Sequence, residues 1–302
     1  MEHQENNPIA GSSSFALASK VKDYFLLIKF TLSFMVVFST VVSYLIAPNV
    51  RFDLLQVLLL FIAGMLVTGA SNAINQSMEK DTDAMMMRTA KRPVAAGRMS
   101  QAEAYTFAGI AAALGVGMLW YFFNFQSAML SLFSLFLYGF IYTPLKKVNS
   151  IAVLVGAIPG AFPCLIGWVA ATDSFSAGGW ILFAIQFLWQ FPHFWAIAWL
   201  AHKDYSKAGF KLLPADKGPT RFTAIQSVMY SLMMIPVGML PYYYGISGMV
   251  SFWILFVCNV WMVGVSLKLL VKMNSRSARL VMFSSYFYLM IVLLSMYADK
   301  GV

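Results

Sequence analysis

The sequence predicts an all-α, polytopic membrane protein of nine transmembrane helices, with its chemistry on the face where the positive charges gather. That expectation rests on composition, on nine long apolar runs and on the distribution of basic residues. Of 302 residues, 60% are hydrophobic and only 11% charged, against about 25% charged in a soluble domain. A soluble core of this size has little room for 26 Phe, 20 Met, 14 Tyr and 8 Trp. A lipid-facing surface removes the difficulty, because apolar side chains then point outward.

A hydrocarbon layer about 30 Å thick takes about 20 residues of helix. Runs of that kind lie at roughly 25–47, 54–74, 103–122, 126–143, 151–171, 180–200, 222–244, 250–270 and 281–297. Residues 1–22 read as a disordered cytoplasmic tail and 23–298 as the transmembrane domain. The polar start lacks the basic residues and small-residue cleavage site of a secretory signal. The first apolar run is therefore expected to stay in place as a helix. Cys164 and Cys258 both lie in apolar runs and fit no disulfide framework or zinc spacing.

Nine spans put the termini on opposite sides of the membrane. With the N-terminus inside, 19 of the 21 Lys and Arg fall in inner segments, around 20–29, 80–98, 146–147, 203–221 and 268–279. Only Arg51 and Lys300 fall outside. Basic residues set orientation in this way, and a wrong span count would scramble the alternation. The net charge of +9 thus reports topology, and no nucleic-acid partner is expected.

Two inner loops are long, about 75–102 and 201–221, while the outer ones are short. Long polar loops on one side point to a site at the inner mouth of the bundle. Pro159, Pro163, Pro192 and Pro236 lie inside spans, where proline kinks a helix and frees a carbonyl.

The sharpest local signal runs from Ser71 to Pro93. If the second span continues as helix, Asn72, Asn75, Glu79 and Asp83 share a stripe about 80° wide. Gln76 sits beside it, and Asp81 points away into solvent. Carboxylates and amide oxygens are hard ligands that suit Mg²⁺, an ion held through one or two carboxylates plus substrate phosphates. Asn72 and Asn75 either complete the shell or orient water. Arg88 and Arg92 follow, and guanidinium groups pair with phosphate oxygens. Acids beside arginines therefore read as metal plus diphosphate.

A second polar region runs from Trp189 to Pro214. His193 is an ionisable residue inside a span and thus a functional candidate; the plainer reading is a helix-to-helix hydrogen bond. An unbroken helix would place His193 and Asp204 on one face, about 16 Å apart. At the inner end of the fourth span stand Tyr142, Thr143, Lys146 and Lys147. The two lysines serve either as topology charges or as contacts to a diphosphate.

These stretches resemble the UbiA-type intramembrane prenyltransferases over about residues 24–297. The family motif N-x-x-x-D-x-x-x-D reads here as Asn75, Glu79 and Asp83, with Glu for the first Asp as in the haem-prenylating branch. Arg88-Thr89, Arg92-Pro93 and Gly97 also resemble that branch, as do the run at 142–147, with Lys147 for Arg, and Gly156 to Trp168. So does W-Q-x-P-H-F-W-A at Trp189 to Ala196, followed by Asp204-Tyr205. The wider family's second, aspartate-rich motif keeps only Asp204 here, a departure from the quinone-prenylating enzymes.

The resemblance implies a UbiA-type bundle that transfers the farnesyl group of farnesyl diphosphate to a vinyl group of haem b, with addition of water. The implied cofactor is Mg²⁺, on Asn72, Asn75, Glu79, Asp83 and Asp204. Implied catalytic residues are Asn75, Glu79, Asp83, Arg88, Arg92, Lys146, His193 and Asp204, with His193 handling the haem. Implied surroundings are the lipid bilayer of a bacterial inner membrane and, as partners, haem–copper oxidase assembly or a haem A synthase. A prenyltransferase for a quinone precursor, an anion transporter and a structural membrane subunit are the competing classes. The transporter does not explain the ordered acidic stripe, and the structural subunit has no need of a hydrophilic inner cleft.

Overall fold

The computed structural model describes residues 9–214 and 218–300. In chain order the helices are α1 (Ile9–Leu27), α2 (Phe30–Ile46), α3 (Leu54–Met78), α4 (Lys80–Ala84), α5 (Gln101–Phe122) and α6 (Phe125–Phe136). A π-helical stretch (Leu137–Tyr142) and α7 (Thr143–Leu145) complete the span begun by α6. Then come α8 (Ala152–Thr172), α9 (Ala177–Leu200), α10 (His202–Lys207), α11 (Arg221–Tyr243), α12 (Met249–Lys272) and α13 (Ser275–Ala298).

Among the described residues, eight helices are long and apolar enough to cross a membrane. The segments Ala18–Leu27 and Phe30–Ile46, bent by 51°, make a ninth if taken as one span. Two expectations need correction. The first apolar run is not one helix: it breaks at Lys29, which takes a left-handed backbone (φ 49°). The chain is also helical from Ile9, where the sequence reading puts a disordered tail; residues 1–8 of that tail lie outside the described residues.

Helix ends follow side-chain chemistry. Asp53 Oδ1 accepts from the backbone of Leu55 and Gln56 and starts α3. Ser100 caps α5 through Glu103 N at 3.0 Å, in the S-x-x-E pattern of a capping box. Asn124 and Asn274 cap α6 and α13 in the same way.

The spans form two lobes that share α8. One contains α2, α3, α5 and α6; the other contains α9, α11, α12 and α13, and α2 also touches α13. Most of α8 is buried inside protein, so its composition is set by close approach rather than by lipid. A Cβ on Gly167 would overlap the Thr40 carbonyl, so only glycine lets α2 and α8 meet there. Pro163 has no N–H for the Pro159 carbonyl, and the Ser134 hydroxyl donates to it at 3.3 Å.

Basic residues collect at one end of this bundle. At the opposite end Trp120, Tyr121, Phe125, Tyr243, Tyr244 and Trp253 are exposed, as expected for a girdle at a membrane–water interface. Lys300 also lies at that end, where its ammonium donates to the carbonyls of Leu45 and Val50 at 2.9 and 2.6 Å.

Candidate active site

The acidic stripe lies at the basic end, and it is buried. The α-helix pauses at Glu79 (φ −96°, ψ 11°) before α4 resumes, so the stripe does not sit on one unbroken helix. The Asp83 N–H still donates to the Glu79 carbonyl at 2.7 Å. One-turn spacing survives the break, and Glu79 and Asp83 are 4% and 0% exposed. Asp81 is exposed, as its helix angle predicts.

Each carboxylate has a cation against it. Lys146 Nζ lies 2.6 Å from Glu79 Oε1, and Arg92 Nη1 lies 2.6 Å from Asp83 Oδ2. Glu79 Oε1 is thus held by the Lys146 ammonium, while buried Asp83 Oδ1 has no hydrogen-bond partner. Lys29 donates to Asn75 Oδ1 at 2.9 Å, and Asn75 Nδ2 donates to Thr143 Oγ1 at 3.2 Å. Three basic side chains thus surround two carboxylates and one amide oxygen.

Local structure explains these positions. The Thr89 hydroxyl donates to the Asp83 carbonyl at 2.9 Å, which folds the R-T-x-x-R-P stretch back so that Arg92 reaches Asp83. The π-helical turns before Thr143 place Lys146 inward and leave Lys147 exposed; such insertions often mark functional sites. The Lys146 ammonium sits over the rings of Tyr142 and Phe210, 4.8 and 5.4 Å from their centroids. Lys211 N donates to the Lys146 carbonyl at 2.8 Å, so the second polar loop closes over the cluster. Arg88 is exposed at the rim, where it donates to the Tyr205 hydroxyl at 3.3 Å.

Below the cluster lies an apolar cavity of about 110 Å³. Asn72 and Tyr138 stand at its mouth, Gly64 and Val67 along its wall, and Leu60 and Leu119 at its far end. Asn72 Nδ2 donates to Ser33 Oγ and to the Ile28 carbonyl; Asn72 thus spans the α1–α2 break, one turn from Asn75.

His193 and Asp204 do not share a helix face, because α9 stops at Ala201 before α10 begins. His193 Nδ1 meets Ser285 Oγ at 2.8 Å, a helix-to-helix tie of the kind the plainer reading foresees. Asp204 is partly exposed and makes no side-chain ion pair among the described residues. Sequence reasoning counted Lys29 only as a topology charge. The signal was present, since it is a cation inside an apolar run.

The donor set suits a hard cation. Two buried carboxylates, one of them with an unpartnered oxygen at Asp83 Oδ1, stand beside an amide oxygen, which matches an ion held by one or two carboxylates plus substrate phosphates. Among the described residues no three His, Cys, Asp or Glu side chains converge, so a closed site of softer ligands has no basis there.

Comparison with known proteins identifies the family and the fold. Residues 36–291 match the UbiA prenyltransferase family. The chain is 42% identical to the protoheme IX farnesyltransferase of Cytophaga hutchinsonii, over 94% of this chain and 99% of that one. It is 39% identical to the Flavobacterium johnsoniae protein of that name, over 96% and 98%. Among solved structures, a digeranylgeranylglyceryl phosphate synthase aligns with a TM-score of 0.76 at 21% identity, covering 93% of this chain and 98% of that one. A UbiA homologue from Archaeoglobus fulgidus bound to DMAPP and Mg²⁺ aligns with a TM-score of 0.68 at 17% identity, covering 91% and 98%.

Proposed function

The chain belongs to the UbiA prenyltransferase family, and we propose that it transfers the farnesyl group of farnesyl diphosphate to a vinyl group of haem b. Water is added in the same conversion, and the products are haem o and diphosphate. The observation that carries this reading is the cluster of buried Glu79, Asp83 and Lys146 with partly buried Lys29 and Arg92 above an apolar cavity. The relatives named protoheme IX farnesyltransferase supply the acceptor.

An allylic diphosphate leaves when its developing charge is stabilised. Lys29, Lys146 and Arg92 stand where that charge appears, in a site largely closed to water, and fixed cations act most strongly there. Arg88 at the rim adds a further guanidinium. Asn75, Glu79 and Asp83 would hold Mg²⁺, which withdraws electrons from the leaving group; Asp204 and Asn72 are assigned outer roles around it. The cavity from Asn72 to Leu60 takes the prenyl tail and keeps water from the allylic cation. The vinyl carbon then forms the new C–C bond, and the resulting cation adjoining the porphyrin adds water and loses a proton. His193 holds the haem.

The basic end faces the cytoplasm of a bacterial inner membrane. Both hydrophobic substrates arrive from the bilayer, and haem A synthase or haem–copper oxidase assembly receives the product. Incubation of purified protein with haem b, farnesyl diphosphate and Mg²⁺, beside 4-hydroxybenzoate as rival acceptor, tests the reading. The expected product is haem carrying one farnesyl and one water. Prenylated 4-hydroxybenzoate with unmodified haem would reject it.

A further inference from the structure

Ser285, on α13, is fully buried. Its hydroxyl carries one hydrogen, and a carbonyl can only accept, so the arrangement that satisfies both of its contacts gives that hydrogen to the Met282 carbonyl at 2.6 Å. Toward His193 Nδ1, at 2.8 Å, Ser285 Oγ is therefore an acceptor. Nδ1 carries the proton, and in the neutral ring Nε2 is left as a bare lone pair. Nε2 makes no hydrogen bond among the described residues, and it is not among their fully buried unpartnered atoms, so it reaches the small part of the residue, 8%, that stays exposed. An accessible imidazole nitrogen with a free lone pair is able to take a ligand.

The ring is also held in place. Trp189 stacks on it, centroids 5.0 Å apart and planes at 16°. The same indole donates its Nε1–H to the Ser285 carbonyl at 2.7 Å. Tyr286 stands edge-on to the imidazole at 5.1 Å. A tie between helices needs only the Nδ1 contact; it does not need a ring clamped between aromatic side chains with its other nitrogen bare.

We propose that Ser285 is a positioning residue, which fixes His193 in the Nδ1–H tautomer so that Nε2 is presented to the iron of a planar metalloporphyrin. Neutral imidazole is a preferred iron ligand, and a hydrogen bond at its other nitrogen orients the ring and raises its basicity. The aromatic flanks fix the ring's orientation and leave its Nε2 edge free. The inference rests on the haem-farnesylating reading above and extends it to the mode of haem capture.

The test titrates the full-length, detergent-solubilised protein with ferric haem b and, separately, with metal-free protoporphyrin IX, without farnesyl diphosphate. Ser285→Ala is expected to weaken haem binding about 10–100-fold and to shift the Soret band, while metal-free porphyrin binding is unchanged. Ser285→Thr should restore both. His193→Ala should lose the imidazole-type spectrum and regain it with added imidazole. Haem affinity in Ser285→Ala within about two-fold of wild type, with the same spectrum, overturns the proposal, and so does an equal loss for metal-free porphyrin. If Ser285→Ala does not fold, failure of imidazole to rescue His193→Ala overturns it. Iron ligation by His193 without any farnesylated haem in the wild type would reject the reaction and leave the ligand site standing.

Discussion

Asp83→Asn is the perturbation that best separates structure from chemistry. Asp83 is buried and its Oδ2 lies 2.6 Å from Arg92 Nη1, with side chains 1% and 17% exposed. Removing the negative charge strands a largely buried guanidinium, and breaking such a pair costs about 3–5 kcal/mol. The residual exposure of Arg92 places the effect near the lower end of that range. The double variant Asp83→Asn/Arg92→Met removes both charges together, and replacing a whole buried pair is close to neutral. Thermal melting in detergent should therefore show a large loss in the single variant and recovery of most of it in the double. Diphosphate release should not recover, because the double variant lacks both groups proposed to act on the leaving group. Loss of one such electrostatic contact costs about 10²–10³ in rate. Turnover in the double variant within tenfold of wild type, alongside a dead single variant, would show that the pair is structural only.

Lys146→Met keeps the packing beneath Phe210 but removes the charge, and should lower kcat about 10²–10³-fold, measured by diphosphate release. Lys29→Met should also slow turnover, with little change if Lys29 is a topology charge only. Gly156→Val places a Cβ 2.5 Å from Tyr142 Cε2; overpacking of this kind costs about 1–3 kcal/mol, read as a lower melting temperature, and displaces the ring that carries Lys146. Chelation by EDTA should stop turnover, and added Mg²⁺ should restore it.

Much of the bundle was legible because apolar runs of membrane length carry their own signal and basic residues mark one side. The acidic stripe was legible because its three- and four-residue spacing matches the helix period. The break at Lys29 was not, since the hydropathy of the first run continues through a change in one backbone angle. The π-helical turn at Leu137–Tyr142 alters no composition, so helix periodicity did not tell Lys146 from Lys147; only the family resemblance singled out Lys146. The unbroken helix drawn from His193 to Asp204 failed at Ala201, where no proline or glycine marks the stop. Ser285 was invisible because its partner is 92 residues away in sequence, and only packing of α9 on α13 brings the two together.

Binding of an inert thio-analogue of farnesyl diphosphate, followed by calorimetry with and without Mg²⁺, tests the site most directly. Tight binding should require Mg²⁺ in the wild type and should be lost in Glu79→Gln/Asp83→Asn. Equal affinity with and without Mg²⁺, or full affinity in that variant, would mean that the two carboxylates do not anchor the diphosphate.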